Sequence, residues 1–241
     1  MENRFLIFSC GFNCESDVLQ HVCSIAGQTC KNYKHILVDD ASTDNTLGNL
    51  RSLCSINPKA KLITNDKNQG WLHNSVDYLC PQDDDIVVIV DMDDFLAAPF
   101  VLEHLNNVYN KIGCWMTYGS FVWKTKNIVE GKAYPEECDY RNFEWRAVHL
   151  QTFKGFLWNE IDKDDFILPA GSYAQSCYDQ AVMIPILEMV PFEKQMFISD
   201  VLYVYNDGNP LNIGHTRKQE QIDNEMYFRG LPEYEELEVC E

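Results

Sequence analysis

The chain has 241 residues, 46% of them hydrophobic and 12% aromatic, with 19 Lys+Arg against 37 Asp+Glu and a net charge of −18. That length and composition suit one α/β domain with a sizeable core and exclude a disordered or fibrous chain. An acidic surface of this size repels nucleic acid and anionic lipid, so no nucleic-acid partner is expected, and any anionic ligand needs a cation or local Lys/Arg to offset the field.

Phe5 to Cys10 is a continuous apolar run, as expected for a strand buried on both faces. It is too short, and lacks the small-residue cleavage signature, to read as a signal peptide. No stretch approaches the roughly 20 apolar residues of a membrane span, so no transmembrane segment and a cytoplasmic location are expected. The ten cysteines include no CxxC pair, and Cys23, Cys54 and Cys80 read as small buried hydrophobes in a reduced compartment.

Ser16 is placed to cap a helix whose apolar positions are Val18, Val22, Ile25 and Ala26. His35 to Val38 reads as the next strand and runs into Asp39-Asp40. Ser42, Thr43 and Asp44 offer caps for a helix carrying Leu47, Leu50 and Cys54 on one stripe. Lys61 to Thr64 is a short strand, residues 65–70 a loop and Trp71 to Leu79 a helix. Ile86 to Val90 is the most strand-like run in the chain and stops at Asp91. Strands alternating with crossover helices imply a mainly parallel sheet, in which ligands sit outside the carboxyl ends of strands. Both acidic clusters, Asp39-Asp40 and Asp91-Met92-Asp93-Asp94, fall at such ends.

The second half is less regular. Ala98 to Lys111 reads as a helix, Cys114 to Trp123 as a strand and residues 127–140 as a loop. Arg146 to Ile161 and Tyr178 to Val190 read as helices, and Met196 to Tyr205 as a strand. From Gln219 onward the chain is strongly acidic and is expected to pack loosely at the edge.

Hard oxygen ligands at i and i+2 beyond a strand suit Mg²⁺ or Mn²⁺ bridging phosphate oxygens. A solvated acidic turn is the bland alternative, but adjacent carboxylates repel one another and a cation relieves that cost. At the other cluster, Ser42 to Asp44 can serve simply as a helix cap. A carboxylate at that strand end can also accept the N–H of a uracil ring.

Four ordered motifs carry a resemblance. They are Asn13 after the first strand, Val38-Asp39-Asp40-Ala41-Ser42-Thr43-Asp44-Asn45-Thr46 after the second, Asn68-Gln69-Gly70 before a helix, and Asp91-Met92-Asp93-Asp94 after the apolar strand. In this order and spacing, residues 5 to 95 resemble the nucleotide-binding half of family 2 glycosyltransferases. The resemblance implies a GT-A fold, an α/β architecture with a Rossmann-like, mainly parallel central sheet flanked by helices in a single domain. It implies transfer of a sugar from a nucleotide-diphosphate donor, expected to be a UDP-sugar, to a glycan or glycoconjugate acceptor with inversion, assisted by Mn²⁺ or Mg²⁺. By the same resemblance Asp40 contacts the base with Asp39 adjacent, Asp91 approaches the ribose, and Asp93 or Asp94 holds the metal, Asp91 being a further candidate ligand. Many relatives carry Ala-Arg-Asn after the Asn-x-Gly loop. His73-Asn74 stands there instead, so Lys67 is the substitute cation considered. The expected division is 1–95 for the nucleotide-sugar-binding half, 96–218 for the acceptor-binding half and 219–241 for an acidic tail.

Tyr178-Asp179-Gln180-Ala181 resembles the family's catalytic Asp at a helix start, where the helix dipole keeps a carboxylate ionised and available as a base. An N-terminal cap is the alternative role for Asp179, and Glu188, Asp164 and Asp165 are rival bases. The run Trp145 to Lys154 mixes aromatic and basic residues and suits an acceptor- or phosphate-facing helix, or a half-buried one. His215, on a Gly/Pro/Asn-rich loop, stands as a candidate third metal ligand or an exposed loop histidine. Arg217 and Lys218 could meet the diphosphate as that loop closes. A nucleotidyltransferase and a non-catalytic sugar- or cation-binding protein are the rival readings. The absence of a basic Gly-rich loop after the first strand argues against the former.

Overall fold

The structure is a computed structural model that describes residues 2–209 and 216–238. The first four long strands are β1 (Phe5–Gly11), β2 (Tyr33–Asp39), β3 (Ala60–Thr64) and β4 (Ile86–Ile89). They alternate with α1 (Val18–Ala26), α2 (Thr46–Ser55) and α3 (Trp71–Tyr78). All of these strands pair in parallel, in the order β3-β2-β1-β4. Their apolar runs lack alternation because both faces are covered. Leu6, Phe8, Val87 and Ile89 join one core cluster, while Phe5, Ile7, Ile86 and Val88 join another on the opposite face. The carboxyl ends of β1, β2 and β4 therefore open on one edge, where residues 10–14, 39–44 and 91–94 meet.

The sheet continues from β4 through β8 (Gln151–Lys154), β6 (Met116–Trp123), β9 (Gln195–Tyr205) and β5 (Phe95–Leu96), with β7 (Val129–Glu130) on β6. Pairing here is mixed: β8 is antiparallel to β4 and β6, while β9 is parallel to β6 with register shifts at Gly119 to Phe121. Three more helices are α4 (Val101–Ile112), α5 (Gly155–Glu160) and α6 (Tyr178–Met189), and α7 (Lys218–Arg229) closes the described chain.

The structure corrects the sequence in three places. Arg146 to Ile161 is not one helix: residues 151–154 form β8 and only Gly155–Glu160 is helical. Strands on both sides claim this segment. Thr152 joins a buried hydroxyl chain with Thr117 at 2.7 Å and Tyr109 at 2.8 Å, which a helix would leave unpaired. The acidic end does not pack loosely. Phe228 of α7 is buried, Arg141 donates to the carbonyls of Phe228 and Pro232, and the Leu237 amide donates to Met189. Finally, Cys23 and Cys80 are exposed and Cys54 is half-buried, whereas Cys10, Cys14, Cys114 and Cys177 are buried. The nine cysteines described are free thiols, and no helix among the described residues is long and apolar enough to cross a membrane.

Candidate active site

The strand edge bounds a cavity of about 520 Å³. Asp40, Asp91, Asp93, Asp94 and Asp179 all contribute to its lining, and Arg217 is a lining cation among the described residues. Phe12, Trp71, Tyr178 and Tyr205 add aromatic rings to the lining.

The β1 and β2 loops are locked together by short polar side chains. Asn13, at φ 55°, accepts the Thr43 amide at 2.8 Å, and its own amide donates to Ser42 Oγ at 2.9 Å. Asp44 accepts the Thr46 amide at 3.0 Å, a local turn just before α2, whose N-cap is Asn45. Asp40 has a second task. Its carboxylate accepts the amides of Gln69 at 3.0 Å and Gly70 at 2.8 Å and the Asn65 side chain at 2.8 Å. This draws the 65–70 loop onto the end of β2. Gly70 sits at φ 85°, ψ 162°, backbone that only glycine adopts without strain, and a Cβ there would lie 2.4 Å from Gln175 Oε1. The Asn68-Gln69-Gly70 motif thus has a structural cause. Asp39 is buried behind Asp40, its Oδ1 lacking a hydrogen-bond partner, and it does not line the cavity. Lys67 is exposed and outside the lining; Arg217 is the cation placed there instead. His73 faces Asp77 and Tyr173 on the outer side of α3.

At the end of β4 the four residues divide their work. Met92 is buried in the core with Val18 and Leu50. Asp94 turns inward: Oδ2 accepts the Tyr203 hydroxyl at 2.7 Å and Oδ1 the Asn206 amide at 2.6 Å. With both oxygens engaged, Asp94 anchors β9 and the chain beyond it to β4. Asp91 and Asp93 are left as the carboxylates that face the cavity with one engaged oxygen each. Asp91 accepts the Tyr178 hydroxyl, and Asp93 accepts Asn209 Nδ2 at 2.7 Å. Burial, followed by repulsion from Asp93, pushes Asp91 up to about 7. Burial also raises Asp93 above the ordinary carboxylate range.

Across the cavity, Asp179 stands in the first turn of α6. Burial pushes it up to about 6, opposed by hydrogen bonds from the Gln180 backbone and the Trp145 side chain. Trp145 lies outside a helix. The rival bases are placed elsewhere. Glu188 is held by Arg141 through bonds of 2.6 and 2.8 Å, and Asp165 accepts the Tyr234 hydroxyl. Asp164 is exposed in a short 3₁₀ turn. His149, from the run Trp145 to Lys154, lines the cavity as a neutral ring, lowered to about 4 by burial and stacked on Tyr203 at 4.7 Å. His215 lies outside the described residues.

Sequence reasoning did not find Tyr178, Tyr203, Asn206 or Gln175. Tyr178 alone left a trace, its place beside Asp179; the others come from segments more than 80 residues from the carboxylates or loops they hold.

The glycosyl transferase family 2 model matches residues 7–166, which contain every motif of the strand edge up to β8. The chain belongs to that family. An uncharacterized glycosyltransferase of Haemophilus influenzae is 33% identical over 181 residues, covering 73% of this chain and 55% of the relative. The S. aureus TarS 1-349 structure in complex with UDP-GlcNAc superposes with a TM-score of 0.65 at 16% identity, covering 88% of this chain and 60% of that one. A mannosyltransferase from Pyrobaculum calidifontis, in complex with GDP-Man and Mn²⁺, superposes with a TM-score of 0.58 at 15% identity, covering 88% of this chain and 59% of its own. The fold is of the GT-A type, and the family 2 chain spans little more than half the length of these relatives.

Proposed function

We propose that this chain transfers a sugar from a nucleotide-diphosphate donor to an acceptor hydroxyl with inversion. One observation carries the reading: Asp91 and Asp93, at the end of β4, share a cavity with Asp179, at the start of α6. The complexes of the similar structures with UDP-GlcNAc and with GDP-Man and Mn²⁺ support the donor class. A UDP-sugar is the favoured donor.

The residues fit a hard divalent cation. Asp91 and Asp93 offer oxygen ligands, and the burial and repulsion that raise both carboxylates are costs that a cation offsets. Donor phosphates and water would supply further positions around such a cation. Mn²⁺ or Mg²⁺ there would neutralise charge on the nucleoside diphosphate leaving group. Asp94 serves as the anchor of β9, each of its oxygens accepting one hydrogen bond.

The protein's own groups do the rest. The base would lie at the ends of β1 and β2, beside Asp40 and Asn68, and Asp91 would meet the ribose. Asp40 shapes that pocket first through the 65–70 loop, and Asp39 supports it from behind. Arg217 is the side chain placed to meet the diphosphate. Asp179 takes the proton from the acceptor hydroxyl as that oxygen attacks the anomeric carbon from the side opposite the leaving group. The test is release of UDP from UDP-sugars, and of GDP from GDP-Man, with and without Mn²⁺. Mn²⁺-dependent release from at least one donor is expected, and no release from any donor counts against the reading.

A further inference from the structure

Tyr178 joins the two chemical halves of the cavity. It is the first residue of α6, immediately before Asp179. Its hydroxyl donates to Asp91 Oδ2 at the end of β4. Its ring stacks on Trp71, the first residue of α3, with centroids 4.2 Å apart and planes 16° from parallel. Trp71 is itself buttressed edge-on by Phe8 of β1 at 5.3 Å. On its other side, Cys177 stands at φ 59° and its thiol reaches the Gln221 carbonyl of α7 at 3.1 Å. The phenol is thus fixed by a stack, a helix start and a left-handed residue.

Asp91 otherwise has a single fixed backbone. Its amide donates to Tyr203 Oη at 3.2 Å and its carbonyl accepts the Asp94 amide at 3.0 Å, bonds that hold the backbone and not the carboxylate. The bond from Tyr178 holds the carboxylate itself. It engages Oδ2 and leaves Oδ1 for a ligand in the cavity.

We infer that Tyr178 is a positioning residue that aims the Asp91 carboxylate at the donor and sets its separation from Asp179. The inference rests on the donor reading given above. A carboxylate aimed in advance loses less rotational freedom when a ligand arrives, so the hydroxyl adds affinity without touching the ligand. The rigid stack argues against the opposite role, a phenol that must swing away to admit the donor. That role would make removal of the hydroxyl tighten binding.

The test is calorimetric titration of the whole chain with UDP, with and without Mn²⁺, for wild type, Tyr178→Phe, Asp91→Asn and the double variant. Tyr178→Phe keeps the ring and the stack, and melting curves check that each variant is folded. UDP affinity in the presence of Mn²⁺ is expected to fall about tenfold in Tyr178→Phe, the size of one hydrogen bond to a charged group. Affinity without Mn²⁺ should fall less, because only the ribose contact of Asp91 is then affected. The double variant should bind no more weakly than Asp91→Asn, because the phenol acts only through that carboxylate. Wild-type or tighter Mn²⁺-dependent binding in Tyr178→Phe overturns the inference while leaving the donor reading intact, as does strict additivity in the cycle. If wild type binds no UDP with Mn²⁺, the inference and the UDP reading fall together. If Tyr178→Phe does not fold, Trp71→Leu, which removes the stack but keeps the phenol, must show the same Mn²⁺-dependent loss or the inference fails.

Discussion

Asp40 and Asp91 end strands on either side of β1, and the protein treats them in opposite ways. Asp40 accepts two backbone amides and an asparagine side chain and holds a loop in place. Asp91 accepts one phenol and faces a second carboxylate, and it is pushed up to about 7. One carboxylate is satisfied by the fold; the other is left with an unmet electrostatic demand. Unmet demand of this kind marks a place where a ligand is to bind, and satisfied demand marks a support.

The sharpest way to break this contrast is Asp93→Ala. Removing the neighbour of Asp91 should lower donor turnover on the order of a thousandfold and weaken Mn²⁺ binding measured by titration. Turnover at the wild-type level would exclude the metal assignment. Asp179→Asn should come next, with transfer lowered roughly a hundredfold and UDP binding retained. In wild type, transfer should fall as pH drops through about 6, because Asp179, the proposed base, then carries a proton. Stability should move the other way. The folded chain holds that proton at a pH where the unfolded chain has released it, so this contribution is present in acid and lost as pH rises through about 6. Melting curves of wild type against Asp179→Asn between pH 4 and 7 check the sign.

The supports should respond in stability and not in chemistry. Arg141 and Glu188 form a paired, almost fully buried ion pair that also holds the carbonyls of Phe228 and Pro232. Arg141→Ala strands Glu188 and should cost about 3–5 kcal/mol by denaturant unfolding. Gly70→Ala tests the Asp40 loop. It combines a positive φ with a Cβ 2.4 Å from Gln175 and should cost about 1–3 kcal/mol. A neutral outcome would mean that the loop is not held as tightly as its three bonds to Asp40 imply.

Much of the strand edge was legible because its signals are local. Apolar runs without alternation mark strands covered on both faces, and the residues that follow such runs must lie at one edge of a parallel sheet. That pattern alone puts Asp40, Asp91 and Asp93 at the strand edge. The mixed half was harder. Residues 151–154 become strand only because β4 and β6 flank them, and the hydrogen bonds that Asp94 accepts from Tyr203 and Asn206 come from the other end of the chain. Lys67 sat near the right motif, but its loop is turned by Asp40 so that Lys67 points to solvent.

By itself the sequence determined the order of strands and crossover helices, the acidic ends of β2 and β4 and the family, since hydrophobic pattern and motif spacing are properties of neighbouring residues. Tertiary structure alone decided which partners each acid has. The partners that engage a carboxylate, such as Tyr178 for Asp91 and Asn206 for Asp94, are about 90 and 110 residues away in the chain. No local pattern records which of them will arrive.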